Sequence, residues 1–162
     1  MQDRTEQSEP VVQRAMRRLL LMLVTVGMVG TAADLVLLEH YEDAWQLPPL
    51  VLTGFALLVV AWLLVSNRPF VVIVLRILMI GLIAAGCFGI VLHFRGNREF
   101  QREIDPTIEG WALIQAVMTA KAPPALAPAN MIQLGLLGLL YTYRHPSLAW
   151  RGPDEPQNRT TA

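Results

Sequence analysis

The sequence predicts an all-α integral membrane protein, a bundle of four transmembrane helices with a short interfacial helix in its longest loop. Of its 162 residues, 54% are apolar and 16% are charged, whereas a soluble domain carries roughly 25% charged residues. Four apolar stretches approach the roughly 20 helical residues needed to cross a bilayer core of about 30 Å. They are continuous rather than alternating, which indicates helices and not the strands of a barrel.

The four stretches are divided by polar or proline-bearing segments. The first is interpreted as a retained helix rather than a signal peptide, because an acidic segment and no small-residue cleavage site follows it. A single domain is expected over residues 1–150, with a mobile cytoplasmic tail at 151–162. The predicted transmembrane helices cover about residues 17–40, 50–66, 70–95 and 128–144.

Arginine is distributed unevenly among the segments between these helices. The connection after the first helix, residues 41–49, has neither lysine nor arginine, while the N-terminal segment, the second connection and the C-terminal segment are basic. Cytoplasmic segments of membrane proteins carry such an excess. Both termini are therefore expected in the cytoplasm, and the chain in a cell membrane, a bacterial inner membrane being favoured. The arginines in question are Arg4, Arg14, Arg17, Arg18, Arg68, Arg144, Arg151 and Arg159.

The connection between the third and fourth helices is far longer than an ordinary turn, at about 33 residues. Its charged beginning, residues 98–103, could continue the third helix beyond the membrane. Asp105 followed by Pro106 resembles a helix N-cap with proline at the first helical position. The sequence predicts an interfacial helix over about 106–120, with Trp111 as its membrane anchor.

Composition excludes several classes of function. Zero formal net charge gives no broad field that would attract nucleic acid. The single cysteine, Cys87, rules out an internal disulfide and a cysteine-cluster metal site. The glycine-rich phosphate loop and the motifs of serine hydrolases and zinc peptidases are absent from the sequence. The protein is therefore expected to be no enzyme and to hold no cofactor.

An acid inside the hydrocarbon is expensive and usually has a function. Asp34 is such a residue, and equal depth on the other helices falls near Thr53, Cys87 and Gln133. One hypothesis is an intramembrane polar layer, formed by Asp34, Thr53 and Gln133, that binds an ion, a proton or a ligand head group. The other, which is favoured, is a buried carboxyl that hydrogen-bonds the fourth helix.

Two histidines, His40 and His93, fall near the outward ends of the first and third helices. Imidazoles on facing helices are the ligands that a haem, copper or zinc site uses. Histidines are also common at membrane interfaces, and neither has a second histidine three or four residues away. The plain interfacial role is favoured.

Small residues spaced by four along the third helix, Gly81, Ala85 and Gly89, would let another helix approach closely. This face serves either packing within the bundle, which is favoured, or docking of a partner. Arg98, Arg102 and Trp111 in the long loop are candidates for the same docking.

Two arginines are candidates for contact with lipid or another anion, Arg76 inside the third helix and Arg144 after the fourth. The long stem of Arg76 can carry its charge to the lipid phosphates. Arg144 lies among tyrosines, which form anchors at the membrane surface.

Together these features favour a small non-catalytic membrane subunit that packs against a larger complex or against copies of itself. Its expected partners are the lipid bilayer and other membrane proteins, with no nucleic acid. The first alternative is an oligomeric carrier of a small solute or ion that uses Asp34. The second is a redox subunit binding haem, metal or quinone.

Overall fold

The computed structural model describes residues 3–66, 68–120 and 124–148, with side chains described from residue 11 onward. Every regular element in these ranges is helical. The predicted tail at 151–162 lies outside the described residues. The five helices are α1 (Asp3–Leu37), α2 (Leu47–Val65), α3 (Pro69–Ile104), α4 (Gly110–Met118) and α5 (Leu126–Thr142), and a short 3-10 turn, Pro146–Leu148, comes after them.

Three helices of the described chain are long and apolar enough to cross a membrane. They are α2, α3 and the Val11–Leu37 part of α1, and α5 is a shorter apolar helix of 17 residues. Within the chain only 22%, 28% and 33% of the most apolar windows of α1, α2 and α3 are buried. The outward surfaces of these helices are therefore largely apolar, which suits helices surrounded by lipid.

The four longest helices of the described chain are arranged as a ring. α1 packs against α2 and α5, and α3 packs against the same two helices, so that α1 and α3 occupy opposite corners. Arg17, early in α1, bonds the end of α5, whereas Thr31, late in α1, bonds Asn130 near its beginning. α1 and α5 therefore run antiparallel. The end of the bundle near Arg17 is called the inner end, and the opposite end is called the outer end.

The interior of the ring is filled by apolar side chains, to which α3 contributes the most. Met28, Leu75, Met79 and Leu82 are almost completely buried. Because lipid is as apolar as these side chains, close packing rather than escape from water stabilises such contacts.

Two glycines bring the backbones of α3 and α5 together. A Cβ atom on Gly86 would lie 2.6 Å from the carbonyl oxygen of Pro128, and one on Gly135 would lie 2.7 Å from that of Met79. Both neighbours are backbone atoms, which a rotamer change cannot move away. Glycine is therefore required at both positions for the observed packing of α3 on α5.

The helix bounds differ from the predicted ones mainly at α1, α3 and α4. α1 begins before residue 17, and α3 continues to Ile104. α4 begins at Gly110 instead of residue 106, because Asp105 forms a local turn and does not cap a helix. Its Oδ1 accepts hydrogen bonds from the backbone N–H and the hydroxyl of Thr107, at 2.9 and 2.6 Å, which is an Asx turn.

α4 folds back along the last part of α3. The side-chain amide of Asn97 donates to the carbonyl oxygen of Val117 at 3.4 Å. Asn97 and Val117 each lie seven residues from the turn, counted from Ile104 and Gly110, so the two arms match in length and run antiparallel. Val117 and Leu113 are buried against α3. Residues 97–118 are called the outer hairpin.

Candidate functional site

The inner end of α5 is capped by an arginine from another helix. The guanidinium of Arg17 donates to three backbone carbonyl oxygens, those of Tyr141 at 2.9 Å, Tyr143 at 3.1 Å and Arg144 at 2.8 Å. The last carbonyls of a helix have no partners inside it and carry its partial negative charge. A planar guanidinium donates hydrogen bonds to several of these carbonyls and its positive charge offsets the partial negative charge.

Arg76 of α3 completes this arrangement. Its Nη2 donates to the carbonyl oxygen of Thr142 at 2.8 Å, and its Nε lies 3.4 Å from the hydroxyl of Thr142, a residue that is fully buried. Arg76 therefore bonds the end of α5, whereas the sequence analysis predicted that its charge reaches the lipid phosphates. No acidic residue lies at the depth of Arg76 in the sequence, and a backbone carbonyl oxygen of α5 accepts its hydrogen bond instead. Arg17 and Arg76 together are called the arginine cap.

The segment after α5 closes over this cap. His145 is buried, with its Nδ1 2.6 Å from the hydroxyl of Ser147 and its Nε2 3.3 Å from the hydroxyl of Tyr141. Burial lowers the pKa of His145, and the positive charge of Arg17 lowers it further. Arg144 points outward, with its guanidinium 5.7 Å from the centre of the Tyr143 ring, as a surface anchor would.

The structure does not bring the predicted polar layer together. Asp34, Gln133 and Cys87 are exposed on the outside of the bundle, and Thr53 is buried with its hydroxyl donating to the carbonyl oxygen of Pro49 in its own helix at 2.7 Å. Equal residue counts from the helix ends do not give equal depth here. The level of Thr31 on α1 coincides with that of Asn130 on α5, so Gln133 lies nearer the inner end than Asp34.

A polar contact that sequence reasoning missed joins α1 to α5. The amide of Asn130 donates to the hydroxyl of Thr31 at 2.8 Å, and that hydroxyl donates to the carbonyl oxygen of Gly27 at 2.9 Å. Such hydrogen bonds hold apolar helices together in membranes. The signal in the sequence was the amide within an otherwise apolar segment.

At the outer end, α1 stops in a Schellman motif. The N–H of His40 donates to the carbonyl of Leu35 at 2.8 Å and that of Glu39 to Val36 at 3.1 Å, with Glu39 in the left-handed region at φ +52°. Glycine is the usual residue at this place. The motif turns the chain sharply and fixes the backbone position of His40.

His40 then meets His93 of α3. The two ring centres are 6.1 Å apart and the ring planes are inclined by 17°. Beside them, the rings of Trp45 and Phe88 lie 6.2 Å apart. These four residues are called the outer aromatic cluster. Partial burial of His40 lowers its pKa, and the neighbouring His93 lowers it further.

The pair His40 and His93 offers two imidazole rings to a ligand. In the part of the chain that the structure describes, no three side chains among His, Cys, Asp and Glu lie close enough together to hold a metal ion. A structural zinc site uses four protein ligands and a catalytic one three. What the geometry provides at this place is a contact between two titratable rings.

The small-residue face predicted for docking is occupied by the chain itself. A Cβ on Gly81 would lie 3.3 Å from Leu52 of α2, one on Gly89 would lie 3.3 Å from Pro128 of α5, and Ala85 packs against the core. These contacts fit the favoured interpretation, packing within the bundle, and docking of a partner at this face stays a prediction.

The candidates in the outer hairpin lie at its surface. Arg102 is exposed, Trp111 is 75% exposed, and Arg98 is partly buried, with its Nε lacking a hydrogen-bond partner among the described residues.

Comparison of the chain with known protein families, curated proteins and solved structures found no match.

Proposed function

We propose that the protein is a small non-catalytic subunit of a membrane assembly, which docks a partner protein through the outer hairpin. The observation that carries this proposal is a set of large apolar side chains left exposed on the hairpin. Contiguous apolar surface outside lipid typically marks a site of protein interaction. The exposed side chains are Phe100 (56%), Ile104 (65%), Trp111 (75%), Ile114 (42%) and Met118 (46%).

The position of the hairpin supports an interaction with protein rather than with lipid tails. α5 begins beside Gly89 of α3, where Pro128 makes contact. From Gly89 to Ile104 the helix rises about 22 Å, at 1.5 Å per residue. The hairpin therefore projects beyond the level at which the apolar part of the bundle ends. Glu99, Glu103 and Arg102 beside the apolar side chains suit an aqueous surrounding.

We include α5 as a fourth transmembrane helix in this proposal. It is about 26 Å long at 1.5 Å per residue, slightly short for a bilayer core of about 30 Å. It contacts α1 and α3 from Asn130 to Thr142, and both neighbours are long enough to cross. A helix held along its length by two spanning helices crosses the same layer, and the bilayer can thin locally around it.

The proposed orientation places the inner end in the cytoplasm. Arg14, Arg17 and Arg18 of α1 and Arg144 after α5 lie at this end. At the outer end the connection between α1 and α2 has no lysine or arginine, and the arginines of the outer hairpin are interspersed with glutamates. This distribution follows the positive-inside rule. Both termini would then be cytoplasmic, in a bacterial inner membrane, and the outer hairpin would face the periplasm.

The packed interior supports a structural role in preference to a conduit through one copy. Met28 and Met79 fill the centre of the ring, and the backbones of α3 and α5 touch at Gly86 and Gly135. The hydroxyl of Thr53 and the amide of Asn130 are engaged in bonds within the chain. A path for a solute would need these contacts to open.

Gentle extraction from the native membrane followed by mass measurement of the intact particle tests the proposal. We expect the chain to migrate with partner polypeptides or as an oligomer. Trp111→Glu should release the partner, because it introduces a charge into the exposed apolar face. Ala112→Glu is the matched control, since Ala112 is also exposed but points to the flank of α4. A bare monomer from wild-type membranes would refute the proposal.

A second candidate is an oligomeric carrier built around Asp34. The observation that favours it is the outward position of this carboxyl, which would place it between copies rather than inside one. Asp34→Asn should then abolish solute flux in reconstituted vesicles, with Gln133→Leu as a control at an exposed position. Flux that survives Asp34→Asn, or wild-type vesicles without flux, would eliminate the carrier.

A further inference from the structure

We propose that the outer aromatic cluster is an acid-sensitive contact, in which protonation of His40 against the ring of His93 separates the connection between α1 and α2 from α3. The inference goes beyond docking by the hairpin, because it concerns a conformational change at a different place in the fold. It rests on a tertiary contact between two titratable side chains from different elements.

The two rings are held together by the structure around them. The Schellman motif fixes the backbone of His40 through its bond to Leu35. His93 lies on a continuous helix, α3. The ring centres are 6.1 Å apart, a distance at which two positive charges repel but two neutral rings can stack.

The charged groups near this contact come from the connection between α1 and α2 and from the neighbouring parts of α1 and α3. The connection carries Glu39, Glu42 and Asp43, all exposed, and the described structure shows no hydrogen bond between these carboxylates and either ring. Arg95 follows on α3, where it adds positive charge, and Asp34 lies one turn and a half before His40. The helices α2, α4 and α5 contain no Asp, Glu, Lys or Arg, and Tyr141 of α5 belongs to the inner end. Of these groups, His93 is the one whose charge lowers the pKa of His40, and no carboxylate bonded to either ring offsets that repulsion.

The contact loses stability as the pH falls. Burial of His40, together with the charge on His93, holds the pKa of His40 below its usual range. The closed contact therefore binds a proton less readily than the open one. Its stability is fully present above the ordinary imidazole pKa of about 6.5 and declines as the pH falls below that value. The Trp45–Phe88 contact has no titratable group, so it opposes the separation at every pH and contributes nothing to the pH dependence itself.

Titration of the histidine ring signals by NMR in detergent micelles tests the first consequence. The chain has three histidines, so each signal can be assigned by single substitution. We expect the His40 signal to titrate below pH 6.5 and to move upward in His93→Gln. His145→Gln, at the inner end, is the control and should leave the His40 titration unchanged. A His40 titration that is the same with and without His93 would overturn the proposal.

Amide hydrogen exchange of residues 38–46 tests the opening itself. Between pH 7.5 and pH 5.0 we expect protection, corrected for the intrinsic pH dependence of exchange, to fall at least threefold in the wild-type chain. In both His40→Gln and His93→Gln this fall should disappear, while protection of α3 and α5 shows that the bundle is folded. Equal protection at both pH values in the wild-type chain contradicts the proposal, whatever the outcome of the partner experiments.

Discussion

Arginine has two different roles at the inner end of this bundle, and the sequence does not distinguish them. Arg17 and Arg18 are neighbours in α1, yet Arg17 bonds three carbonyls of another helix while Arg18 is exposed. A difference of about 100° around the helix axis decides between them. Arg76 joins Arg17 because α3 places it at the same end of α5.

Arg17→Ala should destabilise the bundle by about 2 kcal/mol, the scale of hydrogen bonds from a charged donor. Thermal unfolding in detergent measures this loss, and Arg18→Ala is the control. Arg17→Lys should recover only part of the stability, because an ammonium group cannot reach the three carbonyls in the same way. The pKa of His145 should rise in Arg17→Ala, although burial, its larger cause, still holds it low. Equal stability of Arg17→Ala and Arg18→Ala would contradict this role.

Glu39 occupies a backbone conformation that usually belongs to glycine, with φ at +52°. Glu39→Gly should remove a steric cost of roughly 1–2 kcal/mol in the left-handed region, partly offset by the greater freedom of glycine in the unfolded chain. We expect a small net stabilisation and an unchanged fold. Glu42→Gly, at an exposed position in the same connection, serves as the comparison. A loss of stability in Glu39→Gly alone would show that the glutamate side chain contributes more than the backbone costs.

At the scale of elements, the pairing of α3 with α5 depends on which glycines face a neighbour. The sequence has 11 glycines, and the pattern of small residues drew attention to Gly81 and Gly89. On α3 the close approach to the backbone of α5 is instead at Gly86, whereas Gly135 of α5 lies at the corresponding approach to the backbone at Met79. Periodicity selects a set of faces, but the partner helix determines which glycine lies at the closest approach.

Gly86→Ala should separate α3 from α5 and destabilise the bundle by about 1–3 kcal/mol, the range for overpacking a filled interior. The new Cβ would lie 2.6 Å from the carbonyl oxygen of Pro128. Gly30→Ala is a matched control, because no described atom other than its chain neighbours and the backbone of its own helix lies within 4 Å of a Cβ there, and alanine favours a helix. Thermal unfolding of both variants in one detergent gives the comparison. Similar stabilities would show that the helices can shift without cost.

In the outer hairpin, the backbone conformation at two residues determines where α4 begins. The same two residues, Asp105 and Pro106, fit either a helix cap or a turn. Two hydrogen bonds from Thr107 favour the turn, and α4 then starts later and folds against α3. A cap at this pair would give an interfacial helix, whereas the turn gives a hairpin with Trp111 exposed near its tip.

At the scale of the whole molecule, the proposed topology of four membrane-crossing helices predicts that both ends of the chain lie on one side of the membrane. Cysteines placed singly at positions 5 and 158, in a Cys87→Ala background, should react with a membrane-impermeant reagent only after the inner face is exposed. A cysteine at Gln115 in the outer hairpin should react in intact cells. Labelling of positions 5 and 158 on opposite sides would refute the four-helix topology, because an even number of crossings requires both on one side.

Much of the architecture could be predicted from the composition and the apolar periodicity alone. The all-helical class follows from these patterns, since length and hydropathy are local properties. The sequence predicted four transmembrane helices, and the structure has three helices that are long and apolar enough to cross a membrane together with the shorter apolar α5. The contacts at the candidate sites could not be predicted from these patterns. His40 and His93 were expected at similar heights, but the contact between their rings depends on a Schellman turn whose left-handed residue is a glutamate, for which the sequence pattern gives no signal.

The sequence by itself determined which segments can lie in lipid and that they are helices, because each residue contributes its hydropathy independently of its neighbours in space. Only the tertiary structure decided which groups meet: Arg76 bonds the end of α5, and Thr31 bonds Asn130. It also placed Asp34 on the outside of the bundle, away from its core. These depend on the rotation of each helix about its axis and on its shift along that axis. Both are set by the packing of whole faces, as at Gly86 and Gly135, and no single residue encodes them.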